Sequence, residues 1–283
     1  MLGGENMEYT NMSPKKRTKI RIYMGKVYFR LKRRLYWRFG DAKFSAKKDS
    51  APYRYSYFSH GTPLLRQLKD VDMYLQYNKI TNLKLASQRI NDIILQPGEM
   101  FSYWRLIGKP TKRKGYQDGM ILFCGKYTTG TGGGLCQLSN LIYWMTIHTP
   151  LTIVERYRHS YDVFPDSNRT QPFGSGATCV YNYRDLMIRN DTSQPFQLKI
   201  WLTDSELCGC WRTNTKPFES YKVYEKEHYI KSELFGKYSR HNSIYRKVYD
   251  IDGNEISEEF VTENHALMMY EPFIEEKQVS ACI

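Results

Sequence analysis

Three consecutive glycines, Gly132, Gly133 and Gly134, lead through Leu135 into Cys136 and Gln137. Glycine admits positive φ and lets backbone approach a ligand closely. The stretch that follows, Leu138 to His148, reads as a helix. A cysteine in the first turn of a helix feels the positive end of the helix dipole, which lowers a thiol pKa, and the thiolate is the nucleophilic form. The spacing therefore points to nucleophilic acyl transfer. Cys136 is the candidate nucleophile, against the reading of a buried structural thiol, and the backbone N–H groups of Cys136 and Gln137, with the Gln137 side chain, are the candidate oxyanion donors. His159, placed 23 residues further on after a strand-like stretch, is the candidate base. A group that orients it is to be sought among Asp162, Asp166, Asp185 and Glu155. His148 is excluded as the base, because twelve residues of helix put it roughly 18 Å from Cys136.

Other glycine chemistries fail on the residues. A P-loop needs Lys-Ser/Thr where Leu135-Cys136 stands, and a dinucleotide fingerprint opening at Gly130 needs glycine at position 135. The six cysteines, at 124, 136, 179, 208, 210 and 282, form no paired Cys-x-x-Cys zinc framework and are too sparse for a disulfide scaffold. Cys208-Gly209-Cys210 reads as a strand turn. No metal or cofactor is called for.

The elements that must present these groups follow from periodicity. Ile20, Tyr23, Met24, Val27, Tyr28, Leu31 and Leu35 recur at helical steps within a basic segment, Lys15 to Lys48. Residues 1–48 carry +11 of the formal net charge of +13, so the body that follows is nearly neutral. A basic amphipathic helix suits an anionic membrane surface; packing of the stripe on the body is the competing reading. Without a recognition motif, nucleic acid is not expected as a partner. Two helices are expected between Leu64 and Leu95, the second over about Leu83 to Leu95 and stopping at Pro97-Gly98. Strands are expected at Met120–Tyr127, Leu151–Tyr157, Ala177–Tyr183, Leu186–Arg189, Phe196–Leu202, Tyr221–Tyr229 and Tyr245–Tyr249, with a hairpin turn at Asp252-Gly253. Helices early and strands late give an α+β fold with N-terminal helices, a glycine-loop/Cys-helix and then a largely antiparallel sheet. Residues 1–50 read as a basic arm and linker, 51–220 as the main domain and 221–283 as a C-terminal β extension. The chain has no run of roughly 20 apolar residues and no signal-peptide core. The expected location is cytoplasmic or peripheral to a membrane, with extracellular action left open.

Several of the same residues carry a family resemblance. Pro97-Gly98-Glu99, Phe101-Ser102, Gly108, Gly115-Tyr116, Gly132-Gly133-Gly134-Leu135-Cys136-Gln137, Glu155-Arg156, His159-Ser160, Gly174, Ala177-Thr178 and Asp185-Leu186 occur in the order seen in the VanW family. The resemblance runs from about Asn82 to Trp201. It implies a cell-wall role linked to vancomycin resistance and, as in relatives taken to be L,D-transpeptidases, a peptidoglycan stem peptide or wall precursor as ligand. It implies catalytic roles for Cys136, His159, Gln137 and Asp185. Gly132, Gly133, Gly134, Ser139, Arg156 and Ser160 are assigned to substrate binding, with arginine suited to the carboxylate of a stem peptide. The family pattern carries an acidic residue where Gly176 stands here. That substitution, and the lack of an export signal, favour the alternative of a non-catalytic accessory protein of the resistance system.

Overall fold

The computed structural model describes residues 17–65, 72–123, 126–163, 171–233 and 236–271. The first element is α1 (Lys19–Phe39), whose N-cap Thr18 accepts the Arg21 N–H at 3.3 Å. It is followed by β1 (Lys43–Phe44), β2 (Tyr55–Pro63), α2 (Met73–Ile90), β3 (Ile93–Leu95), β4 (Glu99–Ser102) and the short α3 (Tyr103–Ile107). Next come the hairpin β5 (Asp118–Phe123) and β6 (Lys126–Thr131), then α4 (Cys136–Thr146), β7 (Thr152–Glu155), β8 (Tyr161–Asp162) and β9 (Met187–Arg189). The described residues end with β10 (Phe196–Leu202), β11 (Glu206–Thr213), β12 (Ser220–Glu233), β13 (Lys237–Tyr249) and β14 (Glu255–Met268).

These strands form three four-stranded sheets and one two-stranded ribbon, ordered β1-β4-β9-β7, β2-β11-β10-β3, β12-β13-β14-β8 and β5-β6. Among the described residues, only β1–β4 and β14–β8 pair in parallel. The fold is α+β with mostly antiparallel sheets, as the sequence indicates. The core gathers around α4: Leu138, Leu141, Ile142, Tyr143 and Met145 are buried with Phe101, Tyr103, Leu186, Ile188, Phe196, Leu198 and Trp211. Trp211 also anchors β11 to α4 by donating its indole N–H to Thr146 Oγ1 at 3.0 Å.

Four local expectations are corrected. One helix, α2, replaces the end of the expected pair. It stops at Asn91, Asp92 takes φ 69°, and Ile93–Leu95 is a strand pairing with Phe196–Leu198 of β10. Residues 66–71 lie outside the described ones. Ala177–Tyr183 is not a strand; it holds an isolated bridge, Val180 to Arg184, and Asn182 at φ 54°. Cys208-Gly209-Cys210 is the interior of β11, paired on both sides, and not a turn. The expected strand at Met120–Tyr127 is two strands of a hairpin, with residues 124–125 outside the described ones.

Candidate functional site

The glycine run makes a corner between β6 and α4 that no other residue fits. Gly132 and Gly134 have φ of 80° and 87°. A Cβ on Gly133 would stand 2.1 Å from the backbone carbon of Gly119, and one on Gly134 would stand 2.2 Å from the Lys79 Cγ. The three amides are engaged within the protein: Gly132, Gly133 and Gly134 donate to the carbonyls of Gln117, Gly130 and Met120 at 2.9, 3.0 and 3.0 Å. Asn82 ties the corner down from α2, donating to the Gly133 and Gln117 carbonyls at 2.9 and 3.1 Å and accepting the Gln117 N–H at 2.8 Å. The glycines therefore shape the corner rather than offering their N–H groups to a substrate.

Cys136 opens α4 and keeps partial solvent contact. Its sulfur accepts the Cys179 backbone N–H, a contact that favours the thiolate. Burial outweighs that contact and pushes the thiol above its ordinary value, against the lowering expected from the helix dipole. The physical reason is the low-polarity wall formed by Tyr103, Cys179 and the core under α4, which disfavours charge on sulfur. Gln137 is not an oxyanion donor in this structure. Its N–H donates to the Gly134 carbonyl at 3.1 Å, and its side chain donates to Thr62 Oγ1 and the Pro63 carbonyl at 3.0 and 2.9 Å, fastening α4 to β2. Among the described residues, the N–H groups of Leu135 and Cys136 have no protein acceptor. The open pair of donors is thus displaced by one residue from the expected pair, and it lies beside the thiol.

His159 follows β7 in a loop pinned at both ends, with the Thr178 N–H donating to the Tyr157 carbonyl at 2.8 Å and the Leu267 N–H to the Ser160 carbonyl at 3.0 Å. Burial first, then the positive charges of Arg158 and Arg184, hold the imidazole down to about 4. It is neutral near pH 7, and an imidazole held this low is a weak acceptor for the proton of a thiol that burial has raised. Among the described residues no hydrogen bond joins His159 to Cys136 or to a carboxylate.

The carboxylates proposed to orient His159 are engaged elsewhere. Asp185 is fully buried and accepts from Ser102 Oγ at 2.5 Å, the Trp104 N–H at 3.0 Å and the Leu186 N–H at 3.0 Å, so it seats the first turn of α3. Burial pushes its carboxyl up to about 6 despite those donors. Glu155 accepts two bonds from Arg33 of α1, at 2.6 and 2.7 Å, and the Asp185 N–H at 3.0 Å. Asp162 accepts from the Tyr270 hydroxyl at 2.8 Å and faces Arg240 at 3.6 Å. Asp166 lies outside the described residues. Sequence reasoning missed Arg33, which sits 122 positions before its partner; its only signal is its place on the side of α1 away from the apolar stripe.

Arg156 is also committed. It donates to the carbonyls of Gly174 and Gly176, to Thr262 Oγ1 at 2.8 Å and to Asn264 Oδ1 at 3.1 Å, and its cation lies over the Tyr143 ring. It braces the loop before Ala177 against β14, leaving little of the guanidinium for a substrate carboxylate. Ser139 is buried and donates to the Ala177 carbonyl at 2.7 Å, whereas Ser160 is exposed. Gly176, where the resemblance leads one to expect an acidic residue, packs against Asn140, whose Oδ1 accepts the Ala177 N–H at 2.8 Å; a Cβ at 176 would meet that oxygen at 2.6 Å. A cavity of about 300 Å³ lined by Leu85, Gln88, Arg89, Ile107, Lys114 and Tyr116 contains none of these residues.

Comparison with known proteins matches residues 78–212 to a family model described as VanW like protein. The chain is 41% identical over 152 residues to the vancomycin B-type resistance protein VanW of Enterococcus faecalis, an alignment covering 54% of this chain and 55% of that protein. It is 30% identical over 118 residues to the uncharacterized protein YoaR of Bacillus subtilis, covering 42% of this chain and 37% of that protein. The aligned part is thus about half or less of either relative. No solved structure matches.

Proposed function

We propose, for a chain whose residues 78–212 belong to the VanW family, a resistance-associated role in the cell wall, exercised as acyl transfer on peptidoglycan stem peptides through Cys136. One observation carries the chemical part: a partly buried cysteine at the N-terminus of α4 stands beside the N–H groups of Leu135 and Cys136, which have no acceptor among the described residues. The wall and the resistance setting rest on the enterococcal relative's name and on the family pattern.

In this reading the Cys136 sulfur attacks the carbonyl carbon of the L-to-D bond before the terminal D-residue of a stem tetrapeptide. The negative charge that develops on the carbonyl oxygen is received by the two open amides. His159, neutral near pH 7, takes the thiol proton and returns it to the departing amine as the C–N bond breaks. A thioester to the acyl-tripeptide remains. The amine of a second stem, or water, attacks it and regenerates the thiol.

The second reading, a non-catalytic accessory protein that binds wall precursors, is favoured by the absence of a Cys136–His159 hydrogen bond and by the engagement of Asp185 and Glu155 elsewhere. The intact mass of the protein after incubation with a stem tetrapeptide separates the two. An acyl-tripeptide adduct in the wild type and none in Cys136→Ala supports acyl transfer. A protein that binds the peptide without forming an adduct selects the accessory reading. Because burial raises the thiol, adduct formation and iodoacetamide labelling of Cys136 are expected to accelerate as pH rises into the alkaline range.

A further inference from the structure

The segment α1 has an unused face. Over Lys19–Phe39 it carries eight Lys or Arg and no Asp or Glu, and none of its residues is buried. No helix among the described residues is long and apolar enough to cross a membrane. With about 100° between successive residues, the helix divides into two sides. One side docks on the body. Arg33 holds Glu155 with two bonds, the Phe29 ring meets Tyr183 edge-on at 4.9 Å, the Tyr36 hydroxyl reaches Met100 Sδ at 3.8 Å, and Trp37 packs against the core. The other side carries Ile20, Tyr23, Met24, Val27, Leu31 and Leu35, all exposed; Ile20 is 77% and Leu31 55% accessible. The stripe that the sequence shows is therefore not the surface by which the helix packs.

We infer that α1 is a membrane-surface helix: its outer stripe inserts into the headgroup–acyl boundary of an anionic bilayer while its inner side stays tied to the body through Arg33 and Glu155. Charge complementarity selects this occupant. On the helix wheel Arg21 and Lys32 border the stripe on one edge and Arg30 on the other, Arg34 falls between Tyr23 and Val27, and Arg38 stands at the C-terminal end, an arrangement that seats basic side chains at lipid phosphates. A second copy docking helix to helix would bring eight positive charges against eight, with no acid between them. The stripe runs along a helix roughly 30 Å long, enough to lie flat on a bilayer. Since the Glu155 carboxylate also accepts the Asp185 N–H, the contact that holds α1 continues into the buried cluster behind Cys136. A membrane seated on α1 thus fixes how the body faces the lipid.

The test uses the full chain and vesicles sedimented with it. Half of the vesicles are made of phosphatidylcholine alone, and half of phosphatidylcholine mixed with phosphatidylglycerol. The expected result is binding to the anionic vesicles only, weakened by high salt. M24Q/L31Q, which keeps the charge and the helix propensity, is expected to bind about tenfold less well or weaker still. Phe218→Gln, which alters an exposed aromatic elsewhere, is expected to bind as wild type. Equal binding to neutral vesicles, or full binding by M24Q/L31Q, overturns the proposal. So does a protein that ignores both vesicles and sediments as a dimer that M24Q/L31Q dissolves, which would assign the stripe to a second copy.

Discussion

The two helices α1 and α4 each show an apolar stripe in the sequence, and the protein uses them in opposite ways. In α4, eight of the eleven residues are buried, polar Ser139 and Thr146 included, and the helix is the hub of the core. In α1, none of 21 is buried, and the apolar residues that define its stripe face solvent while a single arginine carries its most specific contact. Periodicity therefore says that a face is apolar and not what covers it. The difference lies in the other sides. The flanks of α4 are apolar or small enough to pack, whereas α1 carries long cations all round, and these stay at a surface unless paired.

Substitutions at the two sites should separate most widely where packing is tightest. Gly133→Ala places a methyl group against the Gly119 backbone, which cannot yield as a flexible side chain does. A loss above about 3 kcal/mol is expected in urea unfolding. Leu141→Ala, at a side chain 1% exposed, should cost about 2–5 kcal/mol by the same measurement. Losses below about 1 kcal/mol at both positions would mean that α4 is no more integrated than α1, and the contrast would fail.

A pH experiment reports on the buried cluster behind Cys136, where the Asp185 carboxyl is fully buried. Asp185, raised to about 6 when folded and near 3.9 when unfolded, binds protons more tightly in the folded state. Its protonation therefore favours folding. Stability from this group falls as pH rises from about 4 through about 6, by roughly 2–3 kcal/mol in all. Asp185→Asn, neutral throughout, is expected to flatten that part of the stability profile. A wild-type slope that persists unchanged in the variant would place the titration elsewhere.

What the sequence could disclose divides along a physical line. The Cys-helix, the glycine corner and Phe196–Leu202 were legible because their signals are local: periodicity, φ-permissive residues and alternation. Ala177–Tyr183 misled because its residue types suit a strand. The backbone there is claimed instead by side chains and a loop: Asn140 accepts from Ala177, Ser139 donates to it, and Tyr157 accepts from Thr178. Ile93–Leu95 continued the helical stripe of α2, but its partners in β10 lie a hundred residues away and decided the matter. At the site, the place of Cys136 at the first turn of α4 follows from the motif, whereas the open amides, one residue earlier than expected, and the raised thiol do not, because they depend on contacts and walls contributed by distant segments. The Arg33–Glu155 pair joins residues 122 positions apart, and the place of Arg33 off the apolar stripe of α1 is the one local trace of it.

That pair offers the next smaller effect. Arg33→Ala removes two charge-assisted bonds between part-buried partners and leaves Glu155 facing the Asp185 amide alone. A cost of about 1–3 kcal/mol is expected. It should be concentrated in α1, read as faster amide hydrogen exchange over Lys19–Phe39 with little change in α4. Exchange that accelerates equally in both helices would show them to be one cooperative unit.

The smallest effect is the one that makes the comparison most direct. Leu31→Gln alters a leucine at the centre of the exposed stripe, 55% accessible and without a place in the core. Its apolar surface is already in water when the protein folds alone, so its removal takes nothing from the folded state that the unfolded state lacks. Unfolding free energy should change by less than about 0.5 kcal/mol, against the several lost at Leu141. A stripe that contributes nothing to folding and is still basic-edged and continuous along the helix must be accounted for by something outside the free chain. A loss at Leu31 comparable to that at Leu141 would instead mean that the stripe is covered by the protein itself, and the lipid-facing role of α1 would lose its premise.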